Sequence, residues 1–537
     1  MLPKDHAATA AEAQAVVDAA LHDAASGASA SCDALASAPV STSFANASLS
    51  DDFYKKNAPA IVTLARCLER KRTYRFMLSV AASLAEADEA GGHPELVGRA
   101  LLGAGQFDPA MKILAEQAAK DPTDGDVAVT IAKAQCKKGS WDSCLASADA
   151  TLKLLGAADT KEKKEIAWRA QKYRGRALLH KGSLDEASRA ADEVANLGAP
   201  AEEAKELRDR IAQAKTAKAV IDVDFGSEIL TGLYHLYGRA SAVGPLVSVN
   251  ITNLDEGEHA YRIEAQIEGF SDTATSTMTG PKGQRAEVKL TPPRKAGVDS
   301  TKRSTASLVV KVIATDGGDK VLLEDKSTVT LLARDEVPLF RPIDREGTLV
   351  RMSPELVSVW FTPSGGEAVQ ALSQAAPKRG GGAPTLPIAK AIYEQLKAKG
   401  VAFAPQPELL SELQPIVRLR APSATLEAKD ATVLEGALAF ASALGAAGVK
   451  PVLLLAPGRV VVGWRPAKGE KPTAGKLMYV SVDHVSDPFE KALDAGKATY
   501  NSERDAGHFD RFLGGPPVTQ IVDFDAAAKA GIVPDQS

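Results

Sequence analysis

The stretch that decides how this chain reads is Pro422-Ser423, then Ala431-Thr432-Val433-Leu434-Glu435-Gly436-Ala437-Leu438-Ala439-Phe440-Ala441-Ser442-Ala443-Leu444, then Pro451 to Leu455, then Pro457-Gly458-Arg459-Val460-Val461-Val462-Gly463-Trp464. The long apolar run predicts a helix and the two short apolar runs predict strands. Pro457-Gly458 predicts the turn between those strands. A further strand is expected at Tyr479-Val480-Ser481-Val482-Asp483.

This order resembles the core of the bacterial transglutaminase-like (papain-like) superfamily. Its members carry a segment like P-S-x-x-L-x-x-K-x-G-x-C-x-D-G-x-L-x-F-A-S and a P-G-H-x-x-x-G-W turn. The resemblance implies a nucleophilic Cys at the helix start, a His after Pro-Gly, and an Asp or Glu on the next strand. Those positions hold Val433, Arg459 and Asp483 in this sequence. The likeness extends over about Leu349 to Tyr500, through Ile392-Tyr393-Glu394-Gln395-Leu396 and Pro488-Phe489-Glu490-Lys491-Ala492.

Such a site needs a thiolate, a base to take the thiol proton and a group to orient the base. Val433 has no proton to give, and Arg459 stays protonated at any physiological pH. The four cysteines are Cys32, Cys67, Cys136 and Cys144, so no shift of register brings a thiol into the C-terminal region. Ser423 and Ser442 have no base nearby. Val433 reads as a core residue and Arg459 as a solvated turn residue. A sharper reading has Arg459 and Asp483 facing each other as an ion pair, able to hold an acidic peptide end. An enzyme of different chemistry in the same cleft would be, for instance, a hydrolase built on Asp483 and His484. Neighbours on a strand point to opposite faces, which weakens that pairing.

The length of 537 residues predicts three or four domains. The balance of 64 basic against 68 acidic residues leaves no excess to neutralise phosphates, so nucleic acid is not expected as a partner. No apolar run reaches the ~18 residues of a membrane span, and the first residues lack a signal-peptide core. The chain is therefore expected in the cytoplasm, or in the periplasm or outside the cell if a leader was removed and Cys136–Cys144 is a disulfide. Buried free thiols are the first expectation for the cysteines. The cysteines lack metal-ligand spacing, and Lys378-Arg379-Gly380-Gly381-Gly382-Ala383-Pro384 lacks the ending of a phosphate loop. No cofactor or metal is expected.

In the N-terminal region, Leu102-Gly103-Ala104-Gly105-Gln106-Phe107-Asp108-Pro109-Ala110, Cys136-Lys137-Lys138-Gly139-Ser140-Trp141-Asp142-Ser143-Cys144 and Leu179-His180-Lys181-Gly182-Ser183-Leu184-Asp185-Glu186-Ala187 share one pattern. Gly105 and Gly139 lie 34 residues apart, and Gly139 and Gly182 lie 43 apart. About nine residues are thus inserted near Gly156 to Lys164. The period and pattern resemble tetratricopeptide repeats, with a degenerate unit at about Pro59 to Glu89. Residues 1–25 read as a helix and 26–50 as a loop.

From Lys218 the periodicity becomes that of strands: Val220 to Phe225, Leu246 to Thr252, Ala260 to Ile267, Arg285 to Thr291, Ala306 to Ala314, Lys320 to Glu324 and Ser327 to Ala333. The count favours an antiparallel β-sandwich of immunoglobulin-like type. The basic loop from Pro292 to Arg303 reads as solvated.

The expected protein is multidomain α and β: a tetratricopeptide-like α-solenoid over 1–217, an immunoglobulin-like β-sandwich over 218–337, and an α+β transglutaminase-like domain over 338–537 without a working site. The expected function is non-enzymatic binding or scaffolding, with a protein or peptide partner on the helical repeats. The alternatives are the Asp483–His484 hydrolase and a self-assembling structural protein.

Overall fold

A computed structural model describes residues 51–70, 73–87, 93–342, 349–376, 384–404, 416–456, 458–510 and 519–535, with positions 15 and 517. The helix and loop expected over 1–50, the glycine-rich segment 377–383 and Pro457 lie outside the described residues, position 15 apart. The fold is mixed α and β, with many helices and several sheets. No described helix is long and apolar enough to cross a membrane.

The first part is helical throughout: α1 (Asp51–Lys56), α2 (Ala58–Arg70), α3 (Tyr74–Ala87), α4 (Pro94–Gly103), α5 (Phe107–Lys120), α6 (Gly125–Lys137), α7 (Trp141–Leu155), α8 (Lys161–His180), α9 (Leu184–Asn196) and α10 (Ala201–Ala217). Three corners repeat one hydrogen-bond scheme. The amides of Gly105 and Gln106 donate to the carbonyls of Leu102 and Leu101. Gly139 and Ser140 donate to Cys136 and Gln135, and Gly182 and Ser183 to Leu179 and Leu178. The glycines sit at φ 71°, 73° and 78°, which residues with a Cβ rarely adopt.

A second regularity follows the first. The Asp three residues after each corner Gly pairs with a Lys of the next unit. Asp108 meets Lys138 at 2.5 Å, Asp142 meets Lys181, and Asp185 meets Lys215 at 3.0 Å. The insertion between the second and third corners falls in the turn ahead of α8 and extends that helix to 20 residues. The corner geometry therefore survives the change in spacing.

The expectation of buried free thiols is corrected. Cys136 and Cys144 flank the second corner and form a disulfide, and Cys67 is disulfide-bonded as well. The corner turns the chain back so that the two Cα atoms lie 5.1 Å apart, within bridging reach.

Next come β1 (Ala219–Phe225), β2 (Glu228–Ile229), β3 (Val247–Asn253), β4 (Glu258–Ile267), β5 (Ala274–Pro281), β6 (Arg285–Leu290), β7 (Ser304–Ala314) and β8 (Lys320–Leu331). They form two sheets, β1-β3-β6 and β2-β8-β7-β4-β5, antiparallel apart from the short β2–β8 pair. Ile221, Val249, Ile263 and Val310 join the two in one core. Two expectations change. The strands expected at 320–324 and 327–333 are one strand, because Lys326 and Ser327 continue the ladder opposite Val309 and Leu308. The strand Ala274–Pro281 is an addition: threonines face outward and Ala274, Ser276, Met278 and Gly280 inward, so a single large apolar residue marks its buried face. The arginines of the basic loop are engaged. Arg294 donates to Val298 and Ser300, and Arg303 to Glu336.

The remainder runs β9 (Glu336–Pro338), β10 (Phe340–Pro342), β11 (Leu349–Arg351), α11 (Glu367–Gln374), α12 (Leu386–Ala398), β12 (Ala402–Ala404), β13 (Ile416–Arg418), α13 (Pro422–Ala428), β14 (Asp430–Thr432), α14 (Val433–Ala446), β15 (Pro451–Ala456), β16 (Arg459–Trp464), β17 (Met478–Val480), α15 (Phe489–Asp505), β18 (Gln520–Asp523) and α16 (Phe524–Lys529). The antiparallel sheet β17-β16-β15-β18 has α14 on one face. Its other face meets Tyr500 of α15 and Phe509.

Glu336 joins this part to the sheets. Its carboxylate, 4% exposed, accepts from Arg303 at 2.9 Å, Arg418 at 3.0 Å and the Ala333 amide at 2.9 Å. Burial raises its pKa, but these bonds and charges outweigh that and hold it below the usual carboxylate range. Glu336→Ala leaves both guanidinium groups without this partner. It is expected to lower stability by ~1–3 kcal/mol in urea denaturation followed by tryptophan fluorescence.

Candidate functional site

Val433 is the first residue of α14 and is buried. Thr432 caps the helix: its hydroxyl accepts from the Glu435 amide at 3.3 Å, while Glu435 accepts from the Thr432 amide at 2.9 Å. This is a reciprocal capping box. Glu435 also takes Arg420 in bidentate fashion, at 2.8 and 3.0 Å, and the Arg420 amide at 3.0 Å. Arg420 in turn reaches Asp430 at 2.6 Å. Burial pushes the Glu435 carboxyl up, but the Arg420 and backbone bonds prevail and hold it down. The helix start that the resemblance assigns to a nucleophile is thus occupied by a valine above a closed, charge-satisfied clamp. The pattern Thr432-x-x-Glu435 ahead of an apolar run was the signal available in the sequence. The part played by Arg420 had none.

Arg459 opens β16. Val460, Val462 and Trp464 belong to the core shared with α14. Val461 belongs to the smaller cluster on the other face, with Leu454, Ala456 and Tyr479. Alternation therefore puts Arg459 on the face away from α14. The Val462↔Val480 register, extended by three residues on each strand, would set Arg459 opposite Asp483. The ladder ends at Val480 instead. The Ser481 amide donates to Ala492 of α15, and Val482–His484 forms a 3-10 turn. The expectation of Asp483 on a strand is corrected accordingly. Asp483 is exposed and accepts from Ser481 Oγ at 2.5 Å. No ion pair joins Arg459 to Asp483 among the described residues.

His484 binds Asp487 at 3.0 Å rather than Asp483, and Asp487 also takes Lys491. Ser442 Oγ accepts from the Thr362 amide at 3.1 Å, and Ser423 donates to the Gly365 carbonyl at 2.7 Å. Both hydroxyls are structural. Val433, Arg459 and Asp483 are thus held on three elements around the same sheet, without a shared contact. No group of three or more His, Cys, Asp or Glu side chains among the described residues is placed to hold a metal ion.

The polar groups that do converge near Arg459 were not legible in the sequence. Glu503 of α15, 8% exposed, binds His508 Nδ1 at 2.7 Å and the Thr519 hydroxyl. Burial raises the Glu503 carboxyl, but the His508 and Thr519 bonds, with the charges of His508 and Arg459, bring it below its usual value. The two partners lie five and sixteen residues away and follow no motif.

Two outcomes follow. Glu435→Gln is expected to cost ~1–3 kcal/mol at pH 7. Because the folded carboxyl titrates below its unfolded value of about 4.3, the difference from the parent is full above that pH and fades as pH falls through the folded value. Urea midpoints at pH 7 and pH 3.5 check this. The double variant Val433→Cys, Arg459→His is expected to show no thiol-dependent hydrolysis of peptide amides by mass spectrometry, because position 459 faces away from α14. Iodoacetamide-sensitive turnover would contradict that geometry. Compared with known proteins, the chain matches no protein-family model and no curated protein.

Proposed function

We propose that this chain is a non-enzymatic binding or scaffold protein, with tetratricopeptide-like helical pairs, an immunoglobulin-like spacer and a transglutaminase-like domain that keeps its frame without its chemistry. The observation that carries the reading is the repeated corner: three turns with the same bonds, each tied to the next unit by an Asp–Lys pair. Units of this kind bury their faces only by stacking, and the stack offers one continuous surface to a protein or peptide segment. The order of α14, β15, β16 and β17 supports the transglutaminase-like frame. Val433, and cysteines confined to the first 144 residues, remove thiol chemistry from it.

The bonded cysteines favour an oxidising compartment over the cytoplasm, since such bonds persist where thiols are not kept reduced.

Chemical crosslinking in the native host, followed by mass spectrometry, tests the binding role. Crosslinks from a partner are expected within 94–217. Amide hydrolysis or amine incorporation that disappears in Asp483→Ala would overturn it. Alkylation of the native protein without reductant is expected to leave Cys67, Cys136 and Cys144 unlabelled. Labelling of Cys136 and Cys144 in freshly isolated protein would return the chain to a reducing compartment.

A further inference from the structure

The second face of the β17-β16-β15-β18 sheet ends in polar groups, Arg459 among them, that the helical pairs do not use. Ala456 pairs with Arg459 across the β15–β16 hairpin. The β15–β18 register, continued one residue past Leu455↔Gln520, sets Thr519 opposite Ala456. Cross-strand partners share a face. Arg459, Ala456 and Thr519 thus form one row on the side covered by α15, with only a methyl group between the two longer side chains.

Glu503 closes this row from the last turn of α15. It is buried and holds the Thr519 hydroxyl and His508 Nδ1. The backbone fixes the imidazole: the His508 amide donates to the Glu503 carbonyl at 3.0 Å, and the Thr519 amide to the His508 carbonyl at 2.9 Å. An ionised carboxylate only accepts, so Nδ1 carries the proton and Nε2 is the free edge of the ring. The His508 side chain is 40% exposed, and Nε2 has no partner among the described residues. Arg459 is half-buried, and no hydrogen bond or ion pair engages its guanidinium among the described residues.

The signs settle the class of ligand. Glu503, the buried acid among the described residues here, is spent on His508 and Thr519, so the groups left to meet a ligand are a guanidinium and, on the protonated ring, an imidazole N–H. We propose that Arg459 and His508, positioned by Glu503 and Thr519, form a binding site for a small oxyanion, the carboxylate or phosphate group of a ligand. The guanidinium presents a planar fork that matches either group with two parallel bonds. When the ring carries both protons, His508 Nε2 donates the second, differently directed contact; with Nδ1 alone protonated it is an acceptor and Arg459 holds the anion. Beside the site, Tyr500 stacks on Tyr479 at 4.9 Å and approaches Phe509 at 5.3 Å, an aromatic shelf for the body that carries the anion. The site stands whether or not the helical pairs hold a partner.

The test is a titration of the full chain, isotope-labelled at histidine, with inorganic phosphate and separately with acetate, at pH 6.5 and constant ionic strength made up with chloride. The His508 ring signal is identified by its loss in His508→Gln. A saturable shift of that signal with at least one anion is expected, while His259 stays unmoved. Saturation by phosphate alone assigns the site to phosphate groups, and by acetate alone to carboxylates. Arg459→Gln is expected to raise the dissociation constant at least ten-fold. Arg459→Lys, which keeps the charge but loses the fork, is expected to fall between. A linear, unsaturated shift with both anions, or an unchanged constant in Arg459→Gln, overturns the proposal.

Discussion

The enclosure of α14 governs the C-terminal part of the molecule. Every residue from Val433 to Leu444 is buried, so the helix has no solvent face and must be covered on all sides. The sheet supplies one wall, and α11, α12 and α13 supply others. Close approach is bought at two glycines: a Cβ at Gly436 would lie 2.0 Å from the Phe403 ring, and one at Gly445 would lie 2.7 Å from Phe361. A helix so enclosed cannot leave its first amides to water. The capping box answers part of that need, and Arg420 balances the charge of the buried Glu435 that completes the box. The clamp is thus a consequence of burial at the place where the resemblance implies a nucleophile.

The helical part is held by a different balance. The Asp–Lys pairs that repeat from corner to corner are largely exposed, with Asp142 and Asp185 86% and 94% accessible. Exposed pairs of this kind contribute ~0–1 kcal/mol each. The stack therefore rests on its apolar contacts and on the glycine corners, and the pairs record a constant placement of successive units. On the other side of the helices the charges are less exposed. Asp126 of α6 is shared by Arg99 of α4 and Arg169 of α8, and their attraction overcomes the cost of burial to keep it ionised. One acid held between two cations fixes three helices at once, which an exposed pair does not.

Much of this was legible in the sequence because it depends on local pattern. The helix and strands around Ala431–Trp464, the three corners and six of the strands of the middle region follow from periodicity and from Gly placement. What escaped depends on contacts between distant segments. Tyr479 to Asp483 has the composition of a strand, yet its end is drawn off by Ala492, and the backbone at Tyr479 and Val480 lies close enough to Gly496 that no Cβ fits there. The cysteine bridge needed the corner's geometry, which a spacing of eight alone does not fix. Glu503, His508 and Thr519 are brought together only when α15 returns across the sheet.

The junction between the helical part and the first sheet shows how such distant contacts shape local choices. Lys218 takes a left-handed conformation at φ 53°, and the chain passes directly from α10 into β1. Val220 then joins the helical core while Ile221 and Val223 join that of the sheets, so one strand serves both. Asp222 projects on the helical side and takes Arg210, with His180 Nε2 at 3.6 Å. Burial lowers the His180 pKa to about 4; Asp222 opposes this, and Arg210, Arg285 and Arg176 add to it. A neutral imidazole can lie flat on Trp141, with ring centres 3.6 Å apart and planes within 4°. Arg285 of the sheet comes so close to Gly139 that a Cβ there would lie 2.6 Å from its guanidinium. The second corner needs glycine for its φ, and it is also where a side chain of the sheet reaches the helical stack. The repeat motif and the join between the two parts therefore meet at the same residue.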